Sequence, residues 1–294
     1  MKFLIVIPIH NEGVYLPFCL KSLAFQTYRN FELVLVDDGS TDNTPVLIQK
    51  FVEEFPNLSV EVITLEKSEH QPGAKVVRTF NKGLASKDIQ RYDIICKYDS
   101  DIIFPLDYLE RIHDLFVQNP KVGVASGLVY VKKSVFEYDL AFDFTDAKKQ
   151  WTFENISSKD HVRGPIKAYR KDCFVAMSGL RSVLGWDNID VMLAQMYGWE
   201  VKTIKDLWVK HLRPTAYKYK EQKAEKLGEY FYNIGLSWSL AVISSAKSSY
   251  KNKSGKEFWI TMRSFLKQKH KRVLSKDEIR YIRNLRWRSM WNKF

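Results

Sequence analysis

Cysteine is scarce in this sequence, and the three present, Cys19, Cys96 and Cys173, are scattered through apolar segments with no CxxC spacing and no histidine cluster beside them. That excludes a disulfide framework or a zinc site and leaves reduced, cytoplasmic thiols as the simple expectation. Long hydrophobic runs are missing as well. No uninterrupted apolar stretch reaches the ~18 residues of a membrane span. Met1-Lys2 leads straight into FLIVIPI, an apolar run too short for a signal peptide and without a small-residue cleavage site, so none is expected. Neither GxGxxG after the first strand nor GxxxxGKS/T anywhere is present, so a standard dinucleotide or P-loop site is excluded. Residues 1–250 have little net charge, +1 in all. Fourteen Lys and Arg against Glu257, Asp277 and Glu278 put +11 of the chain's +12 into residues 251–294. The basicity thus belongs to a tail, apart from the acidic motifs described below.

What is present is the composition of a folded globular protein, 45% hydrophobic and 27% charged. Its 294 residues suffice for one large domain or one domain with an appendage. Residues 2–65 repeat a strand-helix pattern. KFLIVIP, residues 2–8, reads as a buried strand that Pro8 ends, because proline cannot donate to a ladder. A helical stripe follows at Leu16, Cys19, Leu20 and Leu23. Residues 31–36 form a second strand, residues 44–55 a helix capped by Asp42 or Asn43, and residues 60–65 a third strand. Such repetition means a largely parallel sheet with right-handed crossovers.

The stretch RYDIICKYDSDIIFP, residues 91–105, is the chemical centre. Its apolar run reads as another buried strand, and α/β sheets bind ligands beyond the carboxyl ends of their strands. Asp99 and Asp101 sit at that end. Residues two apart in an extended segment point to the same side, so both carboxylates face one cleft. They repel unless a cation joins them, and hard divalent ions such as Mg2+ or Mn2+ prefer oxygen donors of this kind. The same residues fit a plainer role, capping a helix that starts at Pro105. Two further loops at this edge are acidic, His10-Asn11-Glu12-Gly13 and Asp37-Asp38-Gly39-Ser40-Thr41-Asp42. A carboxylate takes a nucleobase edge or ribose hydroxyls by accepting hydrogen bonds, whereas it takes phosphate only through a metal. A nucleotide held by Asp37 or Asp38 at one end and through metal at Asp101 at the other fits that division.

The motifs IPIHNE, VDDGSTDNT and YDSD, in this order and at these strand ends, resemble the nucleotide-sugar-binding half of family-2 glycosyltransferases. The resemblance spans most of residues 1–215. It implies the GT-A fold there, an α/β architecture with a mostly parallel central sheet, and leaves residues 216–294 as a helical appendage. It also implies donor contacts from Pro8, Asn11, Glu12, Asp37 and Asp38. YDSD matches the family's DxD motif, with Asp101 as metal ligand and Asp99 on the ribose or on the metal through water. Residues 71–83 resemble the family's G-x-A-x-A-x-N-x-G helix but carry Lys75 and Val76 where small residues are usual. Lys75 and Arg78 near that helix start either direct positive charge toward a diphosphate or form a solvated basic face. Residues 163–170 are similar to a strand beside the family's acceptor site, and residues 136–159 read as an acceptor-side insertion.

Residues 185–201 resemble the family's "ED" helix and the strand after it. Matching on Gly198 puts Asp187 on the catalytic base, with Trp186 in place of the usual Glu and Asp190 next in line if the register slips by a turn. Asp187 also fits an ordinary N-cap of a helix whose apolar face is Ile189, Met192, Leu193 and Met196. His211, in an expected strand over residues 207–212, matches a histidine that often adds a metal ligand.

The resemblance implies an inverting transferase that moves a sugar from a nucleotide-diphosphate sugar to a hydroxyl of a glycan or lipid-linked acceptor. Mn2+ or Mg2+ would be the cofactor, and surface polysaccharide or glycolipid synthesis the setting. In the tail, cations interleave with Trp259, Phe265, Leu266, Ile279, Ile282, Leu285, Trp287, Met290 and Trp291. That is the pattern of an interfacial helix, so an anionic membrane surface and a peripheral cytoplasmic location are expected. A basic helical cap on the catalytic domain is the alternative. No nucleic-acid-binding motif is recognisable, and no such partner is expected. The rival class is a non-catalytic binding protein of the same architecture, against which the full acidic set Asp38, Asp99, Asp101 and Asp187 argues.

Overall fold

Alternate residues of the buried strands face opposite layers, and this builds the fold. In the computed structural model, which describes residues 1–66, 74–132, 150–213 and 222–291, the strands β1 (Phe3–Ile9), β2 (Phe31–Asp38), β3 (Val60–Leu65) and β4 (Ile94–Tyr98) pair in parallel in the order β3-β2-β1-β4. The sheet continues through β5 (Ile102–Ile103), β6 (Val122–Lys132), β7 (Trp151–Phe153), β8 (Ile166–Arg170) and β9 (Glu200–His211). Its full order is β3-β2-β1-β4-β8-β6-β9-β5, with β7 on β6. β8 runs antiparallel to both β4 and β6 and so joins the two halves.

Phe3, Ile5, Ile7, Leu33 and Leu35 pack on one side with α1 (Leu16–Ala24), α2 (Thr44–Glu54) and α4 (Tyr108–Gln118). Leu4, Val6, Val34 and Val36 pack on the other with α3 (Ala74–Ala85), α5 (Lys171–Ala176) and α6 (Trp186–Met196). Burial on both faces explains why β1, β2 and β4 read as near-continuous apolar runs. The approach of α3 requires glycine, since a Cβ at Gly83 would lie 2.5 Å from Val36 Cγ2 and 2.7 Å from Val6 Cγ1.

The C-terminal helices α7 (Lys223–Asn233), α8 (Trp238–Lys251), α9 (Gly255–Lys267) and α10 (Lys276–Trp291) complete this second layer. Phe231, Ile234, Leu240, Met262, Phe265 and Ile282 share one core with Trp186 and Leu193. Arg181 pairs with Glu278 at 2.7 Å across the contact. Gly185, at φ +87°, would place a Cβ 2.2 Å from the Tyr230 ring, so the turn before α6 demands glycine both for its left-handed backbone and for the approach of α7. The tail therefore packs as a helical cap. Trp287 is half-buried against this core, while Trp238, Tyr250, Trp259 and Leu266 stay exposed. No helix among the described residues is long and apolar enough to cross a membrane.

Some expectations need correcting. Pro8 lies inside β1, which runs on to Ile9. Proline is tolerated there because the ladder to β4 stops at Val6. β9 is one strand of 12 residues, longer than the expected 207–212. The cap of α4 is Asp107, so neither Asp99 nor Asp101 caps that helix. All three cysteines are buried and unpaired. Of the expected features, residues 71–73, residues 136–149 and the side chain of Trp291 lie outside the described residues.

Candidate active site

The acidic residues converge because β1, β2 and β4 are parallel and end on one edge. Three loops interlock there. Asn11, left-handed at φ +55°, accepts from Thr41 N at 2.8 Å through Oδ1 and donates its own N–H to Ser40 Oγ at 2.9 Å. Asp37 Oδ1 accepts from Ser40 N at 3.0 Å. Asp38 is buried at the end of β2, accepting from Thr79 Oγ1 at 3.0 Å with Lys75 Nζ at 3.2 Å. Lys75 thus sits on Asp38, while Arg78, three residues along α3, is exposed.

Beyond β4, Asp99 pairs with Lys97 and remains half-exposed. Asp101 is buried, and its Oδ2 accepts from Arg213 Nε at 3.2 Å and Nη2 at 3.1 Å. His211 Nε2 lies 3.7 Å from Asp101 Oδ1, and the other ring nitrogen lies 3.3 Å from Glu154 Oε2. Burial opposes charge on His211, but Asp101 and then Glu154 outweigh it and raise the imidazole to about 9. Burial likewise opposes the Asp101 carboxylate, and His211 and Arg213 outweigh it and lower its pKa. Glu12 goes the other way. Burial and the charge of Asp101 push it up to about 7 against the pull of Arg213. Its Oε1 accepts from Arg213, whereas Oε2 is buried with no hydrogen-bond partner among the described residues.

No group of three or more His, Cys, Asp or Glu among the described residues is arranged to hold a metal as it stands. The donors nevertheless suit a hard divalent ion. Such ions are often held by one or two protein ligands plus substrate phosphates and waters, at about 2.0–2.2 Å. Asp101 Oδ1 and His211 Nε2 stand within the span of two ligands on one centre, and Glu12 Oε2 is an orphaned buried acceptor beside them.

On the other side of the edge, α6 carries Asp187 in its first turn. Asp187 lines a cavity of about 360 Å3 with Ser157, Ser158, His161, Arg163 and Asn188. Asp190 is fully buried, and both its oxygens lie 2.7 Å from Lys167 Nζ, with Tyr169 OH donating to it at 2.5 Å. It has no exposure to offer a substrate. Trp186, where the family usually has Glu, lies with its ring 5.1 Å from Lys97 Nζ and 5.4 Å from Lys167 Nζ. Its ring thereby adds a cation–π contact to two buried ammonium groups that are already paired with Asp99 and Asp190. Arg163 links the two regions, because it lines the Asp187 cavity and pairs with Glu154 at 2.7 Å, which in turn meets His211.

Sequence reasoning missed Arg213, Glu154, Lys97 and Lys167. The lysines had a signal, a cation flanked by apolar residues within a short strand, in IICKY and in IKAYR. Arg213 had none, since its partners come from distant parts of the chain, and Glu154 had none that pointed to His211, 57 residues on.

The family model described as "Glycosyl transferase family 2" matches residues 4–178. Minor teichoic acid biosynthesis protein GgaA of Bacillus subtilis is 33% identical over 131 residues, 44% of this chain and 28% of that protein. A PGL/p-HBAD biosynthesis glycosyltransferase of Mycobacterium bovis is 31% identical over 142 residues, 48% of this chain and 52% of that protein. The chain thus matches between about a quarter and a half of the length of these relatives. Among solved structures, mannosyltransferase PcManGT from Pyrobaculum calidifontis in complex with GDP-Man and Mn2+ superposes with a TM-score of 0.59 at 17% identity, covering 99% of this chain and 75% of that one. S. aureus TarS 1-349 in complex with UDP-GlcNAc gives 0.58 at 19% identity, covering 80% and 66%. These likenesses establish the fold as GT-A.

Proposed function

The chain belongs to glycosyl transferase family 2, and we propose that it moves a sugar from a nucleotide-diphosphate sugar to an acceptor hydroxyl with inversion at the anomeric carbon. The observation that carries this reading is a division of labour at one sheet edge. Asp101 and His211 are a buried pair 3.7 Å apart, with Glu12 joined to Asp101 through Arg213, while Asp187 lines a separate polar cavity. Asp37 and Asp38 lie at the end of β2, where a base or ribose would be held, as the sequence expectation has it.

Asp187 deprotonates the acceptor hydroxyl, which attacks opposite the departing diphosphate in a single displacement, with no enzyme nucleophile. Lys167 fixes the main-chain carbonyl of Asp187 at 2.5 Å and so holds the base toward the cavity. Asp101 and His211 would hold a Mn2+ or Mg2+ ion, with Asp99 nearby. Such an ion, when bound, stabilises negative charge on the leaving group as a Lewis acid.

The names of the relatives, in teichoic acid and PGL/p-HBAD biosynthesis, support a bacterial surface glycan or lipid-linked product. Exposed Trp238, Tyr250, Trp259 and Leu266, set among lysines, support peripheral attachment to an anionic membrane from the cytoplasmic side. The test is nucleoside diphosphate release from a panel of nucleotide-sugars with and without Mn2+, in the wild type and in Asp187→Asn.

A further inference from the structure

A second cavity, of about 540 Å3, lies among the C-terminal helices and shares no residue with the acidic edge. Arg272, Lys276, Arg280 and Arg283 line it together with Ile279 and Trp287, and no lining residue is acidic. The nearest carboxylates are engaged elsewhere or at the rim. Asp277 pairs with Arg280 at 2.9 Å, and both are exposed. Glu278 is buried against Arg181 at 2.7 Å and accepts from Ser275 N at 2.7 Å. Three of the four cations, Arg272, Lys276 and Arg283, therefore have no carboxylate partner among the described residues.

One donor at this cavity is unsatisfied and a second guanidinium is partly desolvated. Arg272 Nε is buried with no hydrogen-bond partner among the described residues, and its guanidinium is held 4.6 Å over the Tyr232 ring. Arg283 is anchored to Gly235 O at 2.7 Å, and burial and then the charge of Arg272 lower its pKa. Two helix beginnings add to the positive potential, since Ser237 caps α8 and Lys276 opens α10, and both residues line the cavity. Guanidinium forks match phosphate oxygens in pairs, and Trp287 with Ile279 supplies an apolar wall beside them.

We propose that this cavity is a binding site for a phosphate ester, either the headgroup of an amphiphile or a small soluble phosphate, separate from the donor site. The unmatched cations, the buried Nε of Arg272 and the convergent helix ends all call for a compact anion with several acceptor oxygens. The site is independent of glycosyl transfer and stands or falls without it.

The test uses the full chain and two probes at matched ionic strength, inorganic phosphate followed by calorimetry and phosphatidylcholine vesicles containing phosphatidic acid followed by co-sedimentation. Arg272→Gln/Lys276→Gln and Lys276→Gln/Arg280→Gln are compared with Lys50→Gln/Lys121→Gln, which removes the same charge from exposed positions away from the C-terminal helices. The pocket variants should bind the effective probe about tenfold more weakly or worse, because each removes charge-assisted hydrogen bonds, and the control should stay within about twofold. Displacement of vesicles by inorganic phosphate identifies a soluble ligand, and vesicle binding that phosphate does not disturb identifies the lipid. Equal loss in pocket and control variants, no loss in either pocket variant, or no binding of either probe by the wild type would overturn the proposal. Calorimetry with UDP and GDP in the same variants reads the donor site separately, so failure of one site does not carry over to the other.

Discussion

Lys167 Nζ lies 2.7 Å from both carboxylate oxygens of Asp190, and both side chains are fully buried. The same ammonium holds the main-chain carbonyl of Asp187. One buried ion pair thus fixes the first turn of α6 and leaves Asp187, three residues earlier, as the carboxylate available to a substrate. Removing one partner strands an uncompensated buried charge, so Lys167→Met or Asp190→Asn should destabilise the fold by about 3–5 kcal/mol. Asp187→Asn should cost ~0.5 kcal/mol or less, as substitutions at accessible positions usually do. Urea unfolding of the three variants checks the contrast, and equal losses would contradict it.

Asp187→Asn should nevertheless cut turnover about 100-fold or more while leaving donor affinity intact, since general-base contributions run to ~10²–10⁴. Steady-state kinetics alongside donor titration separates the two effects. Wild-type turnover in this variant would remove Asp187 from the base position.

Asp101→Asn keeps the shape of the side chain but loses the anion that a hard cation requires. Nucleoside diphosphate should then bind no better with Mn2+ than without it. Calorimetry measures this directly, and a persistent Mn2+ effect in the variant would defeat the metal assignment.

At the far end of β2, burial alone would raise Glu32, but hydrogen bonds from Lys2, Tyr92 and Lys87 outweigh it and lower the carboxyl to about 2, against 4.5 for the free group. The folded pKa lies below the unfolded one. Stabilisation from Glu32 is therefore complete above about pH 4.5 and is lost as pH falls toward 2. Glu32→Gln should flatten the acid limb of the unfolding profile between those values, and thermal melts from pH 2 to 7 would register it.

Much of the parallel half was legible because each strand carries its own apolar run and its own terminal motif. IPIHNE, VDDGS and YDSD needed only the rule that parallel strands end together to fall on one edge. The charge network around them was not legible. Arg213 meets Asp101 across 112 residues and Glu12 across 201, and no local pattern encodes such pairings. The two-residue strand β5 is also too short to leave a periodic trace. The tail misled in part, because an amphipathic helix for a membrane and one for a core share one pattern. Trp287 packs inward and Trp259 does not, a difference set by where α9 and α10 dock.

That docking has its own consequence. A chain ending at Arg213 should aggregate, because it uncovers Trp186, Ile189 and Leu193, which share a core with the C-terminal helices. In the intact chain, Tyr250→Ala/Trp259→Ala should leave folding unchanged and weaken sedimentation with anionic vesicles, since aromatic side chains insert at headgroup level. A soluble, cooperatively folded truncation would refute the packing argument.

The most direct measurement is nucleoside diphosphate release from a panel of UDP- and GDP-sugars, in the presence and absence of Mn2+, for the wild type, Asp101→Asn and Asp187→Asn. The account predicts Mn2+-dependent release from at least one donor by the wild type and near-background release by both variants. Release from no donor, or release that both variants retain, would contradict it.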